Sequence, residues 1–217
     1  MTADGADFAR DRIDYGPPGL ARADLPAEPF ALFARWLDEA RAAGVSEPNA
    51  MALASVDAAG QPHCRIVLLK HCDGRGLAFF TNRDSDKGRQ LAANPRAAAT
   101  FWWSAPRNRQ VRFVGTVEDV DGGAADRYFG ERPRRAQLAS AASPQSRVIA
   151  DRAELERRID ALAATVGAGP VPRPPHWGGY ALVAHAVEFW QGSDDRMHDR
   201  YRYTRAGDGW ETVRLAP

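Results

Sequence analysis

Between Met51 and Val120 lie five short apolar or alternating runs: MALASV (51–56), CRIVLLK (64–70), GLAFFTN (76–82), AAATFWW (97–103) and RQVRFVGTVEDV (109–120). Each is six to twelve residues long, and they are parted by turn-forming stretches such as DAAGQ and DGRG. Short β-branched and aromatic runs with this punctuation predict an antiparallel meander or barrel, although the order of the strands is not readable from them.

Helical patterns flank this β region. PFALFARWLDEARAAG places Phe30, Phe33, Trp36, Leu37 and Ala40 on one face, with Pro29 near its start and Gly44 as its stop. Further on, DRAELERRIDALAATVGAG opens with a capping-box-like Asp151 and Glu154, carries Leu155, Ile159 and Leu162 on one face and ends in glycines. VPRPPHWGG reads as a stiff connector. YALVAHAVEFWQG, RYRYTRAG and WETVRLA read as the last strands, the final two joined by the turn AGDG. Residues 1–28, rich in Gly, Pro and charge, show no sustained period and are expected to form a mobile arm before a single domain over residues 29–217.

The chain has 217 residues, 29 basic against 28 acidic, so no global field points to nucleic acid or an anionic membrane. Any anion site must be local. Two cysteines, Cys64 and Cys72, with no basic-then-apolar leader, suggest neither secretion nor a disulfide framework, so a soluble protein of the reducing cytoplasm is expected. No apolar run approaches the roughly 20 residues that span a bilayer. The five histidines have no ligand-like spacing, and no metal site is expected.

Four stretches could carry chemistry. In CRIVLLKH, Arg65 and Lys70 bracket an apolar strand and, if it is regular, lie on opposite faces; the plain alternative is an edge strand with cations facing water. In TNRDSDKGRQLAANP, Ser85 can cap a helix running to Asn94, which places Lys87 in the first turn, against the usual dipole preference unless an anion binds there. RYFGERPRRAQLASAASPQSR gathers Arg127, Arg132, Arg134, Arg135 and Arg147 around a proline break; this is either a solvated face or a phosphate grip built on Tyr128 and Arg132 at i and i+4. In EFWQGSDDRMHDRYRY (188–203), Arg196, His198 and Arg200 alternate, so on a strand they would share one side.

These four stretches, in this order, resemble the pyridoxine (pyridoxamine) 5'-phosphate oxidases, the FMN enzymes that make pyridoxal 5'-phosphate. The resemblance rests on RIVLLK, YF..RPR, QS, WGG, EFWQG and R.HDR, and runs from about Arg12 to the terminal RLAP. It implies a mainly β (α+β) chain: an FMN-binding split β-barrel with flanking helices, paired as a homodimer with two FMN molecules between the subunits. It also implies oxidation of pyridoxamine 5'-phosphate and pyridoxine 5'-phosphate, with O2 as acceptor and H2O2 released.

Carried onto this chain, the resemblance assigns FMN to Arg65, Ile66, Val67, Leu68, Lys70, Phe80, Thr81, Asp86, Lys87, Gln110, Gln145, Ser146, Trp190 and Arg200. The substrate phosphate falls to Lys70, Tyr128 and Arg132, with Ala136 in the same pocket. Arg196 and His198 would lie over the pyridine ring, and Arg12 to Tyr15 would close as a lid. Asp199, between His198 and Arg200, would point the other way and anchor the strand. Three positions depart from the family pattern: Phe80 for tyrosine, Asp86 for arginine beside Lys87, and Ala136 for serine. Asp86 puts an anion where the FMN phosphate would dock, so FMN retention is expected to be weak unless Arg83 or Arg89 compensates. Two rivals remain: a phenazine-biosynthesis type of flavin oxidase acting on a phosphate-free tricyclic substrate, and a non-catalytic FMN or pyridoxal phosphate carrier on the same barrel.

Overall fold

The computed structural model describes residues 15–16 and 19–217; Arg12 lies outside them. In chain order the elements are α1 (Pro29–Ala42), β1 (Ala50–Val56), β2 (Pro62–Leu68), β3 (His71–Cys72), β4 (Gly76–Asn82), α2 (Asp86–Ala93), β5 (Arg96–Trp103) and β6 (Arg109–Asp119). Then come α3 (Gly122–Glu131), α4 (Arg134–Ala142), α5 (Arg152–Val166), β7 (Trp177–Gln191), β8 (Asp199–Ala206) and β9 (Gly209–Arg214), with 3-10 turns at Arg22–Asp24 and Asp194–Arg196. The strands form one nine-stranded sheet, ordered β2-β1-β5-β6-β7-β4-β3, with β8 pairing β7 and β9. The sheet is mostly antiparallel and open, with β2 and β3 at its ends. A plain meander would keep neighbours in sequence order; here β5 returns to β1, and β4 pairs with β7.

The chain divides into two compact units. The larger comprises residues 49–101 and 112–187. Its β1 alternates buried and half-buried residues and joins β2 in a hairpin register from Val56↔Pro62 to Ala50↔Leu68, as expected for a strand with one covered face. Helices α3, α4 and α5 enclose a second apolar cluster of Ala125, Phe129, Leu138, Ile159, Val171 and Trp177, against which Leu155 and Leu162 also pack. The face expected from the period of α5 is therefore the one used. Asp151 caps that helix by accepting from Glu154 N at 2.7 Å, but the Glu154 carboxylate reaches back to Ala150 N rather than to the cap residue. Trp177 to Gly179, read as part of a connector, already belong to β7. Gly179 is required there: a Cβ would meet the Phe80 ring at 2.8 Å.

The smaller unit comprises residues 1–48, 102–111 and 188–217. Helix α1 buries Phe30, Leu32, Phe33, Trp36 and Ala40 as its 3.6-residue period demands, while Leu37 is only half covered. Trp36 meets Phe189 edge-on at 5.2 Å, Phe189 meets Tyr203 at 5.7 Å, and the Arg109 guanidinium lies 4.3 Å over the Trp36 ring, paired with Glu39. Strands β8 and β9 form the expected hairpin, with Gly207 at φ +55° in its turn, a region that favours glycine. Among the described residues no helix is long and apolar enough to cross a membrane.

Candidate functional site

Within the larger unit, the first group of expected residues forms around the start of α2. Ser85 is the N-cap: its hydroxyl accepts from Gly88 N at 3.3 Å and donates to Asn82 O at 2.6 Å. A Cβ on Gly88 would run into Arg83 O at 2.1 Å, so only glycine lets the helix start this close to the preceding turn. The Lys87 ammonium reaches Thr81 Oγ1 (3.1 Å), Ser85 Oγ (3.4 Å) and Gln145 Oε1 (3.0 Å). Arg65, on β2, donates to Leu53 O (3.0 Å), Ser55 Oγ (2.6 Å) and Gln90 Oε1 (2.9 Å). Every one of these acceptors is a neutral oxygen.

Burial, and then the neighbouring Arg65 charge, hold the Lys87 ammonium below its ordinary value, while Asp86 acts the other way. Burial lowers Arg65 as well. Two half-buried cations without a carboxylate partner among the described residues make a locus of positive potential. Asp86 does not cancel it by contact, because its carboxylate pairs with Arg89. Of the two compensating arginines expected, Arg89 is therefore the one used; Arg83 pairs with Asp119 at 3.0 Å. Ser146 follows Gln145 with φ +68°, and a cavity of about 260 Å³ bordered by Asn82, Arg89, Gln145, Arg147 and His176 opens alongside.

The second group gathers on Trp177. Phe80 stacks on it at 5.3 Å with planes 9° apart, and Tyr128 lies 4.5 Å from Phe80 and 6.0 Å from Trp177. Phe80 thus works as an apolar wall. Lys70 Nζ lies 5.9 Å from the centre of the Tyr128 ring, and the Arg132 guanidinium 5.2 Å from that of Trp177. Lys70, Tyr128 and Arg132 are brought together, though not as the spacing suggested. Helix α3 ends at Glu131, and Arg132 is its C-cap residue in extended conformation (φ −73°, ψ 149°), so Tyr128 and Arg132 do not share a helical face. Lys70 lies beyond the end of β2, which stops at Leu68; Ile66 on that edge strand is 65% exposed. Arg134 is structural, donating to Gly169 O at 2.6 Å and to Gly167 O at the end of α5.

In the smaller unit the alternation of Arg196, His198 and Arg200 does not lie on a strand. Arg196 closes a 3-10 turn with φ +61°, and β8 begins only at Asp199. The turn frees the loop from strand alternation, so Arg196 is exposed while His198 is half-buried. His198 lies 4.7 Å from Trp190 and 5.7 Å from Tyr15, ring centre to ring centre, and Trp190 also meets Trp102 at 5.8 Å. Its Nδ1 accepts from Ser193 N at 3.2 Å, so the neutral ring carries its proton on Nε2. Burial, then Arg196 and Arg200, keep its pKa below the usual histidine value. Arg200 is held by Glu188 (2.9 and 3.2 Å) and Ala216 O (2.8 Å). Gln110 lies half-buried on β6.

Asp199 anchors the strand, as expected. Buried to 3% exposure, it accepts from Gly19 N (3.2 Å), Leu20 N (3.1 Å) and Arg214 Nη2 (2.8 Å). Gly16 and Asp194 exchange two further hydrogen bonds, each of 2.9 Å.

Sequence reasoning missed Gln90, Ser140, Glu188 and the ring of Trp177. Gln90 had a signal, being a polar residue on the face of α2 that also buries Gly88 and Leu91. The partnership of Ser140 with Arg132, at 2.8 Å, had none, because it depends on how α4 folds back against the end of α3.

A family profile described as pyridoxamine 5'-phosphate oxidase matches residues 37–165, and one described as pyridoxine 5'-phosphate oxidase C-terminal dimerisation region matches residues 177–217. A pyridoxine/pyridoxamine 5'-phosphate oxidase of Pseudomonas paraeruginosa is 50% identical over 219 residues, covering 100% of both chains. One of Synechocystis is 46% identical over 214 residues, covering 99% of this chain and 100% of that one. The crystal structure of PhzG from Burkholderia lata, in complex with tetrahydrophenazine-1-carboxylic acid, superposes with a TM-score of 0.84 at 35% identity, covering 93% of this chain and all of that one. With relatives near half identity along their whole length and a matching profile across the β region, the chain belongs to the pyridoxine/pyridoxamine 5'-phosphate oxidase family of enzymes.

Proposed function

We propose that the chain is an FMN-dependent oxidase of the cytoplasm, a split-barrel homodimer that converts pyridoxamine 5'-phosphate and pyridoxine 5'-phosphate to pyridoxal 5'-phosphate with O2 as acceptor. One observation carries this reading. Phe80 and Thr81 are neighbours on β4, so their side chains leave opposite faces of the strand. Thr81 belongs to the Lys87 group and Phe80 to the Lys70–Tyr128–Arg132 group. One strand thus carries two separate cation sets, as a reaction between two phosphate-bearing molecules requires.

The residues present suit an FMN phosphate. Arg65 and Lys87 hold positive charge out of full solvent among neutral oxygens, and Arg65 Nε has no acceptor among the described residues. Charge-assisted donors fixed in advance bind a dianion better than mobile water does. In this reading Arg65 and Lys87 bind the FMN phosphate, assisted by Thr81, Gln145 and Ser146, while Ile66 to Leu68, Gln110, Trp190 and Arg200 border the rest of the cofactor. FMN, when bound, would supply the two-electron redox chemistry that couples oxidation at the substrate C4' carbon to reduction of O2 to H2O2. The protein's own part is orientation and exclusion of water. Lys70, Tyr128 and Arg132 grip the substrate phosphate, and Arg196 and the Nε2–H of His198 address the pyridine ring; Arg12 to Asp14, which the resemblance assigns to a lid, lie outside the described residues.

The test is turnover. Purified protein with FMN should form aldehyde and peroxide under air with either phosphorylated substrate, and Arg132→Ala should raise KM at least tenfold. FMN bound without substrate-dependent peroxide would leave a carrier. The similarity to PhzG favours a second reading, oxidation of a tricyclic phosphate-free substrate; it would leave the Lys70, Tyr128 and Arg132 grip without a phosphate dianion, and turnover of such a compound in preference would establish it. Titration of FMN into wild type and Asp86→Arg tests the weak retention expected. Because Arg89 already pairs with Asp86, the gain should stay below about tenfold.

A further inference from the structure

The Arg132 guanidinium is set by contacts that reach beyond the three groups already assigned to the substrate phosphate. Gln137, buried at the start of α4, donates through Nε2 to Gly130 O at 3.0 Å and Arg132 O at 2.8 Å, which pins the corner between α3 and α4. Arg132 Nη1 then donates to Ser140 Oγ at 2.8 Å. A mid-helix serine commonly turns its hydroxyl back to the carbonyl four residues earlier. Here it faces the guanidinium, and its oxygen is used as an acceptor.

A hydroxyl has one hydrogen and two lone pairs. With Arg132 donating to the oxygen, the Ser140 hydrogen remains to be given away, and among the described residues it has no acceptor. The same side chain therefore orients the cation and presents a donor beside it. Position 136 on α4 holds alanine, which offers no such donor, and residues 136 and 140 lie one helical turn apart on the same face.

We propose that Ser140 donates a hydrogen bond to the substrate phosphate alongside Arg132, so that the hydroxyl of this grip comes from one turn further along α4 than position 136. The proposal rests on the phosphate-grip reading above. It makes Ser140 a determinant of selectivity for phosphorylated over unphosphorylated ligand.

The experiment measures equilibrium binding of pyridoxal 5'-phosphate and of pyridoxal to wild type, Ser140→Ala, Ala136→Ser and the double variant Ala136→Ser/Ser140→Ala, together with KM for pyridoxamine 5'-phosphate. Ser140→Ala should weaken binding of the phosphorylated ligand about ten- to a hundredfold, the scale of one hydrogen bond to a charged group, and leave pyridoxal binding within about twofold. The double variant should recover most of the loss, because the hydroxyl returns to the same face. Equal weakening for both ligands, no weakening, or no recovery in the double variant would each overturn the proposal. Failure of the underlying reading looks different: wild type would then show no preference for pyridoxal 5'-phosphate over pyridoxal, and Arg132→Ala would change neither.

Discussion

Substitution of Gln90 separates stability from cofactor binding. Its side chain is 8% exposed, and its Oε1 serves two donors, Arg65 Nη2 at 2.9 Å and Ser55 Oγ at 2.7 Å. Gln90→Leu removes that acceptor while keeping bulk. A hydrogen bond to a charged group contributes about 1.5 to 3 kcal/mol and a neutral one about 0.5 to 1.5. Arg65 keeps Leu53 O and Ser55 Oγ, and water can reach part of it, so the lower half of the sum applies, about 2 to 3 kcal/mol. For a chain of this length that lowers Tm by about 5 to 10 °C. Gln90→Glu keeps both contacts and adds a carboxylate beside Arg65 and Lys87, so Tm of the cofactor-free protein should hold or rise. FMN should nevertheless bind at least about tenfold more weakly to both variants, in the first because Arg65 loses its orientation and in the second because the added charge opposes the phosphate. Thermal melts without cofactor and quenching of flavin fluorescence read the two effects. Tight FMN binding by Gln90→Glu would refute the assignment of Arg65 and Lys87 to the phosphate, and a Gln90→Leu melt within about 2 °C of wild type would refute the hydrogen-bond argument.

Three further expectations concern the smaller unit. Asp199→Ala strips the acceptor from Gly19 N, Leu20 N and Arg214, and should cost about 2 to 4 kcal/mol, seen in a urea melt, with Asp199→Asn costing less than half of that; equal, negligible losses would mean water replaces the carboxylate. The His198 pKa is depressed, so the folded protein takes up that proton at lower pH than the unfolded chain. Its contribution to stability is present above the unfolded value of about 6.5 and is lost as pH falls through the folded value. An NMR titration should find the pKa below the ordinary value and raised in Arg196→Ala, and a rise would be absent if Arg196 did not act on the ring. A Cβ at Gly192 would meet Tyr15 Cγ at 2.7 Å, so Gly192→Ala should displace that ring and change Trp190 fluorescence; an unchanged spectrum would show that the ring is not held there.

Legibility varied with the range of the interaction. The period of α1, the Ser85 cap of α2 and the Asp151 cap of α5 involve residues within a few positions of one another, and each stands where the pattern put it. Tyr128 and Arg132 do not share the helical face their spacing offered, since the helix ends between them; both lie beside Trp177 instead. At Arg196 to Arg200 the period-2 pattern misled, because spacing alone cannot distinguish a strand from a turn followed by a strand, and the positive φ of Arg196 has no signature in the letters.

By itself the sequence determined helices α1, α2 and α5, the β character of most of residues 50 to 119 and the local cations, because periodicity, caps and turn residues act through neighbours along the chain. Its motifs, compared with a known family, also named the ligands those cations suit. The tertiary structure alone decided which polar residues stand beside them. Gln90 meets Arg65 across 25 positions, Ser140 faces Arg132 over a helix corner, Arg89 takes up Asp86, and Asp199 reaches back about 180 residues to Gly19. A buried hydrogen-bonding group must find a partner somewhere, and which one it finds depends on the path of the backbone through space, which no local pattern encodes.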